Sequence, residues 1–311
     1  MDTLSKVLNT LEFDSNFYFS VRFTGSWGIT VPPYARVARF HICCAGESLF
    51  RIDGVEEVVE LNLGDILIIP HGASHTLLSE PGADTMMLDD AYTRANYRGS
   101  KVFKYDGTSG DAYCELLCGH FEFQHTLPHP FIDQLPSYIL LRKSDSDELR
   151  WLKEALIQYT REPVLEQAGN SLIIKHLSEI TFTLAIQSWQ KTQNKSEGFI
   201  AAISDAHLSN ALKAFHENPQ VRWTVEDLAS AAAMSRTRFV EHFSRTVKMP
   251  PIQYIKLWRM TKAQKFLRTS NLSTEQIANQ CGYESTTAFS KAFKRFTSQT
   301  PAEFRRLHKL E

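Results

Sequence analysis

The 311-residue sequence predicts an α+β protein: a β-barrel in its N-terminal part, a helical linker, and an all-α C-terminal domain. Three observations carry this. From about Phe17 to Phe123 the chain runs as short apolar segments broken by Gly, Pro and Asp, the punctuation of a small barrel or sandwich. Near Leu135-Pro136 the spacing of apolar residues becomes helical. Beyond Phe199 short helical segments recur with a repeat of about 50 residues, the mark of two similar supersecondary units.

Within the first part, Leu49-Phe50-Arg51-Ile52 leads into Asp53-Gly54, a hairpin pair, and Ile66-Leu67-Ile68-Ile69 stops at Pro70. A helix is expected over Leu149–Leu165 and a second over Ser171–Gln190, whose Leu172, Ile173, Leu177, Ile180, Leu184 and Ile186 form a wide apolar stripe. Pairing of these helices makes a homodimer the expected state. The polar stretch from Gln190 to Gly198 reads as a linker. The expected division is 1–145 for sensing, 146–195 for linking or dimerisation, and 196–311 for the helical repeat.

Hydrophobic content of 43% and charged content of 22% exclude disordered and fibrous classes. The net charge of −1 conceals an asymmetry. Residues 196–311 carry 17 Lys and Arg against 10 Asp and Glu, so that part is +7 and the rest −8. A basic module attached to an acidic one suits a partner made of phosphate at one end only. No apolar run reaches the roughly 18 residues of a membrane span, and Met1-Asp2-Thr3-Leu4 opens no leader, so a cytoplasmic protein without membrane contact is expected. Five cysteines, an odd number, fit thiol or metal chemistry better than structural disulfides in that compartment.

The repeat itself reads as helix, tight turn, helix, twice. Thr224 caps a helix through Ala232 that turns Leu228 and Ala229 inward, and Ser235 caps the next, with Phe239 and Phe243 on its buried face. In the second copy Ser273 and Gln276 have capping-box spacing, Gly282 supplies the turn, and Ser285 caps the helix bearing Phe289, Phe293 and Phe296. A helix in the major groove reads bases with its N-terminal residues while flanking Lys and Arg neutralise phosphates. The residues left for that role are Arg236, Thr237, Arg238 and Glu241 in the first unit. In the second they are Ser285, Thr286, Thr287, Ser290, Lys291 and Lys294.

Residues 199–310 resemble the DNA-binding domain of the AraC family of transcription regulators. The resemblance lies in Trp223-Thr224-Val225-Glu226-Asp227-Leu228-Ala229, Met234-Ser235-Arg236, Pro251-Ile252-Gln253-Tyr254 into Arg259 and Ala263, Cys281-Gly282-Tyr283, and the closing run Phe289 to Arg295 and Thr300 to Arg305. It implies double-stranded DNA and RNA polymerase as partners, and a joining helix from about Pro251 to Leu267 that holds both reading helices to one side of the duplex. Lys248 and Ser298 stand where the family usually has Gly, a departure that bears on stability through the left-handed cap.

The N-terminal part carries a second pattern, His41-x-Cys43-x3-Glu47-x6-Gly54 followed by Gly64-x5-Pro70-x-Gly72-x2-His75. It resembles the two motifs of the cupin barrel, with Cys43 replacing a histidine. Alternate strand residues face one way, so His41 and Cys43 both point inward, and imidazole with thiolate suits zinc. The same glycines and prolines are also ordinary turn chemistry. A further cluster, Cys114-x3-Cys118-Gly119-His120 ahead of His125 and His129, resembles a cupin-bearing AraC subgroup that includes hypochlorous-acid-responsive regulators. That resemblance implies a metal or redox site of His41, His75 and Cys118, with zinc as the cofactor and His120 as a further ligand. The alternative is a buried, inert Cys118.

Three functions are thereby set against one another: a transcription regulator controlled by a small-molecule inducer, metal or oxidant; a cupin metalloenzyme with an accessory helical domain; and a helical adaptor for protein partners, which leaves the repeated caps and basic first turns unexplained. The enzyme needs an acid or base beside an open metal, and only Glu47 and the histidines offer one.

Overall fold

The computed structural model describes residues 2–11, 13–99, 102–123, 131–142, 147–160, 167–192 and 198–309. Contacts gather the chain into two compact units, one of residues 13–123 and 135–193, the other of 194–311 with 1–12 and 124–134. The expected segment boundaries at 145/146 and 195/196, the end of the helix proposed to reach Leu165, and His125 and His129 lie outside the described residues.

The first unit is a curled ten-stranded sheet. Its strands are β1 (Phe13–Ser26), β2 (Gly28–Val31), β3 (Val37–Ile52), β4 (Val59–Asn62), β5 (Ile66–Ile69), β6 (His75–Leu78), β7 (Met86–Met87), β8 (Val102–Asp106), β9 (Thr108–Phe123) and β10 (Ile139–Leu141). The sheet curls because β3 belongs to two partner sets. Its first half pairs with β5 and β9, and its second half, from Glu47, with β4 and β6. Between them the register slips at Cys43/Ala45, a bulge that bends the strand. Gly46 makes the bend possible: its φ is +68°, and a Cβ there would sit 1.8 Å from the Tyr113 carbonyl oxygen.

Helix α2 (Leu88–Arg94), absent from the sequence reading, buries Ala91 against the sheet interior. Helices α3 (Asp147–Thr160) and α4 (Asn170–Thr192) pack on each other, and α4 covers β1 and β10. Phe182 of α4 meets Phe13 and Phe121, ring centres 4.9 Å apart in each case, so the outward aromatic face of the sheet is closed by this helix.

The second unit contains α5 (Phe199–Ser204), α6 (Leu208–Glu217), α7 (Val225–Ala231), α8 (Arg236–Val247), α9 (Pro251–Thr269), α10 (Thr274–Gln280), α11 (Thr286–Thr297) and α12 (Pro301–His308). Helix α1 (Thr3–Leu11) packs on α6 and α9. The caps follow the sequence expectation: Thr224 with Asp227 and Ser273 with Gln276 form complete capping boxes, and Thr300 with Glu303 adds a third. Ser235 and Ser285 accept from the backbone N–H of Arg238 and Ala288.

Helix α9 has no free side over most of its length. Tyr254 packs against Phe243 of α8 in the first helical repeat and against Phe199 of α5 and Phe215 of α6 beside it. Leu257, Met260, Ala263 and Leu267 join Ile277, Ala278, Cys281, Phe289, Phe293 and Phe304 in the core of the second. Cys281 is thus a small core hydrophobe.

Lys248 and Ser298 both adopt φ of +62° after α8 and α11, the left-handed cap that glycine occupies without strain. Lys248→Gly and Ser298→Gly are each expected to raise stability by about 1 kcal/mol in urea denaturation, with DNA affinity unchanged. A second expectation concerns His216, buried, with Nε2 2.7 Å from the Tyr254 hydroxyl and its ring 4.2 Å from Trp258. Burial holds it neutral, its pKa depressed to about 3. The unfolded chain binds that proton near pH 6.5, so stability is full above 6.5 and declines as pH falls towards 3, by at most about 1.4 kcal/mol per pH unit. Unfolding curves at pH 7.5, 5.5 and 4.5 should show this slope reduced in His216→Asn.

Candidate DNA-reading surface and barrel interior

In each helical repeat the reading helix is set by burial on one side. Phe239 and Phe243 on α8, and Phe289 and Phe293 on α11, are fully buried. Four residues apart, they anchor one face and leave the opposite face in water. Arg236, Thr237, Arg238 and Glu241 are exposed on the first turns of α8. On α11 Thr287, Lys291 and Lys294 are exposed and Thr286 and Ser290 are half-buried.

Two members of the predicted set have other engagements. The Ser285 hydroxyl accepts from the Ala288 N–H as the helix cap, so its side chain positions α11. Arg236 forms an exposed ion pair with Glu226 of α7, Nε to Oε1 2.6 Å. Such a pair contributes at most about 1 kcal/mol and yields readily to phosphate.

The turns of the two repeats differ instructively. The first turns through Ala233, φ +52°, and the second through Gly282, φ +71°. A Cβ on Gly282 would lie 2.6 Å from the Arg259 guanidinium and 2.7 Å from the Gln220 carbonyl oxygen. That crowding exists because Arg259, on α9, donates to three carbonyls: Pro219 and Val221 ahead of α7, and Gly282 between α10 and α11. One guanidinium therefore ties the entry of the first repeat to the turn of the second. Arg222 and Glu284, 3.1 Å apart on the surface, span the same two loops. The sequence reading placed Arg259 in a motif but gave it no role, since its partners are main-chain atoms distant in sequence.

In the barrel, His41, His75 and Cys118 come together. His41 Nδ1 is 3.2 Å from Cys118 Sγ, and His41 Nε2 is 2.9 Å from His75 Nε2. His75 Nδ1 reaches the Ala73 carbonyl oxygen at 3.0 Å. A carbonyl only accepts, so His75 carries its proton on Nδ1 and accepts at Nε2. His41 then donates from Nε2 and accepts at Nδ1, and the Cys118 thiol donates to it. Every bond is satisfied with all three groups neutral. Burial pushes the same way, depressing His75 to about 4 and His41 well below the usual imidazole range, and raising the Cys118 thiol far above the usual value.

This arrangement is a chain, in which the two nitrogens of His41 point at different partners. A zinc shell needs the lone pairs of all ligands at one point and a thiolate, so holding the metal requires His41 or Cys118 to turn. Among the described residues no group of three His, Cys, Asp or Glu side chains is placed to hold a metal ion. Glu47 is exposed, because the bulge at Cys43/Ala45 reverses which residues of β3 face inward. His120 meets Asn16 Nδ2 at 3.4 Å. Cys43 and Cys114 are buried in the barrel core.

Above the trio lies a cavity of about 340 Å³, lined among others by Val21, Phe23, Ile29, Leu77, Phe103, Arg39, His41 and Cys118. Its size and apolar walls are those of a small-molecule site.

A cupin family model matches residues 2–191, and a helix-turn-helix domain model matches residues 228–307. Over 309 residues the chain is 30% identical to the HTH-type transcriptional regulator AlkR of Acinetobacter baylyi, covering 98% of this chain and 99% of that protein. It is 25% identical over 270 residues to the RCS-specific HTH-type transcriptional activator RclR of Escherichia coli, covering 86% of this chain and 84% of that one. Among solved structures, the DNA-binding domain of AdpA in complex with a target DNA is 30% identical, spans 33% of this chain and 93% of that domain, and has a TM-score of 0.32. The chain belongs to the AraC family of transcription regulators, and it joins a cupin domain to a DNA-binding helix-turn-helix domain.

Proposed function

We propose that this regulator reads two successive major-groove segments, one with Arg236, Thr237, Arg238 and Glu241 and the other with Thr286, Thr287, Lys291 and Lys294, under the control of a small molecule held in the cupin cavity. The observation that supports it is the pair of helices α8 and α11, each anchored by two buried phenylalanines and each presenting polar and basic residues from its first turns. A predominantly apolar cavity in the other unit supports a small-molecule inducer. Zinc at His41, His75 and Cys118, or oxidation of Cys118, is a second reading, supported by the three side chains lying within hydrogen-bonding reach of one another. RNA polymerase is the expected protein partner and the cytoplasm the expected place of action. None of the helices among the described residues is long and apolar enough to cross a membrane.

A homodimer is part of the proposal. Trp151 on α3 and Leu172, Ile173 and Ile180 on α4 are exposed, and pairing two copies of this surface would remove it from water. Sedimentation is expected to give a dimer at micromolar concentration, and Ile173→Glu with Ile180→Glu a monomer; a wild-type monomer at DNA-binding concentrations refutes it.

Gel shifts test the reading helices. Thr287→Ala and Arg236→Ala should each weaken specific binding by about 1–3 kcal/mol and relax preference at a few positions. Lys294→Ala should weaken binding to all sequences alike and lower the salt slope by about one. Unchanged affinity and preference in both base-reading variants would dismiss the assignment.

A further inference from the structure

Two helix ends in the DNA-binding unit are closed by one side chain that lies outside every capping pattern of the sequence. A helix leaves its first N–H groups and its last carbonyls without partners of its own. At the start of α5 the cap position is Gly198, which has no side chain to offer, and the Phe199 N–H donates instead to Gln134 Oε1. At the end of α8 the Val247 carbonyl accepts from Gln134 Nε2 at 2.9 Å, and the Thr246 carbonyl beside it accepts from the Gly198 N–H at 2.7 Å. One primary amide thus caps the start of one helix and the end of another, its acceptor and its donor both in use.

The surroundings make these bonds matter. Phe199 and Val247 are buried, and so is Phe131, whose ring meets that of Phe199 edge-on at 6.1 Å. Among such residues an unmet N–H or carbonyl is costly. The two reading helices also end differently. α11 closes on itself, the Ser298 N–H donating to the Lys294 carbonyl at 2.8 Å, whereas the last carbonyl of α8 is met by a residue 113 positions earlier in the chain. Gln134 is the last residue of its segment to fold with the DNA-binding unit; Leu135 folds with the barrel, where its carbonyl accepts from His71 Nε2 at 2.9 Å. Neighbouring residues are fastened in different units, and the chain passes from one unit to the other at the cap of a reading helix.

We propose that Gln134 is a positioning residue for DNA recognition: by capping α5 and α8 together it fixes the tilt of α8, and with it the reading of one major-groove segment. This rests on the assignment of α8 and α11 to two segments proposed above. Gln134 acts through α8 and needs no contact with DNA.

The test uses the full-length protein and an operator selected from random DNA, in gel shifts against operators carrying single base changes in either segment. Urea curves first set conditions in which each variant is folded. Arg236→Ala and Thr287→Ala mark which segment belongs to which helix. Gln134→Met, close to Gln in size but without the amide, is expected to lower operator affinity about tenfold, the scale of one or two lost hydrogen bonds. It should flatten base preference in the segment marked by Arg236→Ala and preserve that marked by Thr287→Ala. Gln134→Glu keeps the acceptor for Phe199 but sets a carboxylate against the carbonyl end of α8, so it should flatten the same segment. A purely structural role would weaken both segments alike. Preferences that stay unchanged, or relax equally in both segments, would overturn the positioning role while the two-segment reading stands. Marker variants that fail to separate two segments would overturn that reading and the proposal with it. If Gln134→Met does not fold, Gln134→Glu decides by the same comparison.

Discussion

The DNA-binding unit depends on one helix being shared by two cores. α9 gives Tyr254 to the aromatic cluster of the first repeat and Leu257, Met260, Ala263 and Leu267 to the second. Neither repeat is large enough to bury its own apolar residues, so each completes its core on this helix. Arg259 then adds directional bonds where hydrophobic packing has none, holding the carbonyls of Pro219, Val221 and Gly282 to one guanidinium. The spacing of the two reading helices is therefore a property of α9. This is how a fold of short helices holds α8 and α11 in one fixed relation, as the proposed reading of two DNA segments requires.

In the barrel unit the corresponding constraint is the bulge in β3. By sending one strand into two partner sets it curls the sheet, and by reversing the facing of residues it separates His41 and Cys43, inside, from Glu47, outside. The cupin pattern in the sequence is read at constant parity, and a one-residue slip is invisible to it. Gly46 was the available signal, a glycine within an otherwise strand-like run, which is the usual mark of a bulge.

Much of the helical part was legible because its signals are local. Capping serines and threonines, the Gly282 turn and phenylalanines four apart each concern residues within one or two turns. The strands over Ile66–Ile69 and the turn at Gly54 were legible for the same reason. What escaped was long-range. α1 has no partner near it in sequence, and packs on α6 and α9. The engagement of Arg236 with Glu226 and the orientation of the His41 nitrogens depend on atoms from separate elements.

The claim on which this account stands is that α9 fixes two reading helices at the separation of adjacent major-groove segments. Hydroxyl-radical footprinting on an operator selected from random DNA measures it directly. One protein should protect two stretches about one helical turn apart on the same face of the duplex, and inserting half a turn of DNA between them should abolish specific binding. A single protected stretch, or affinity that survives the insertion, would contradict the account.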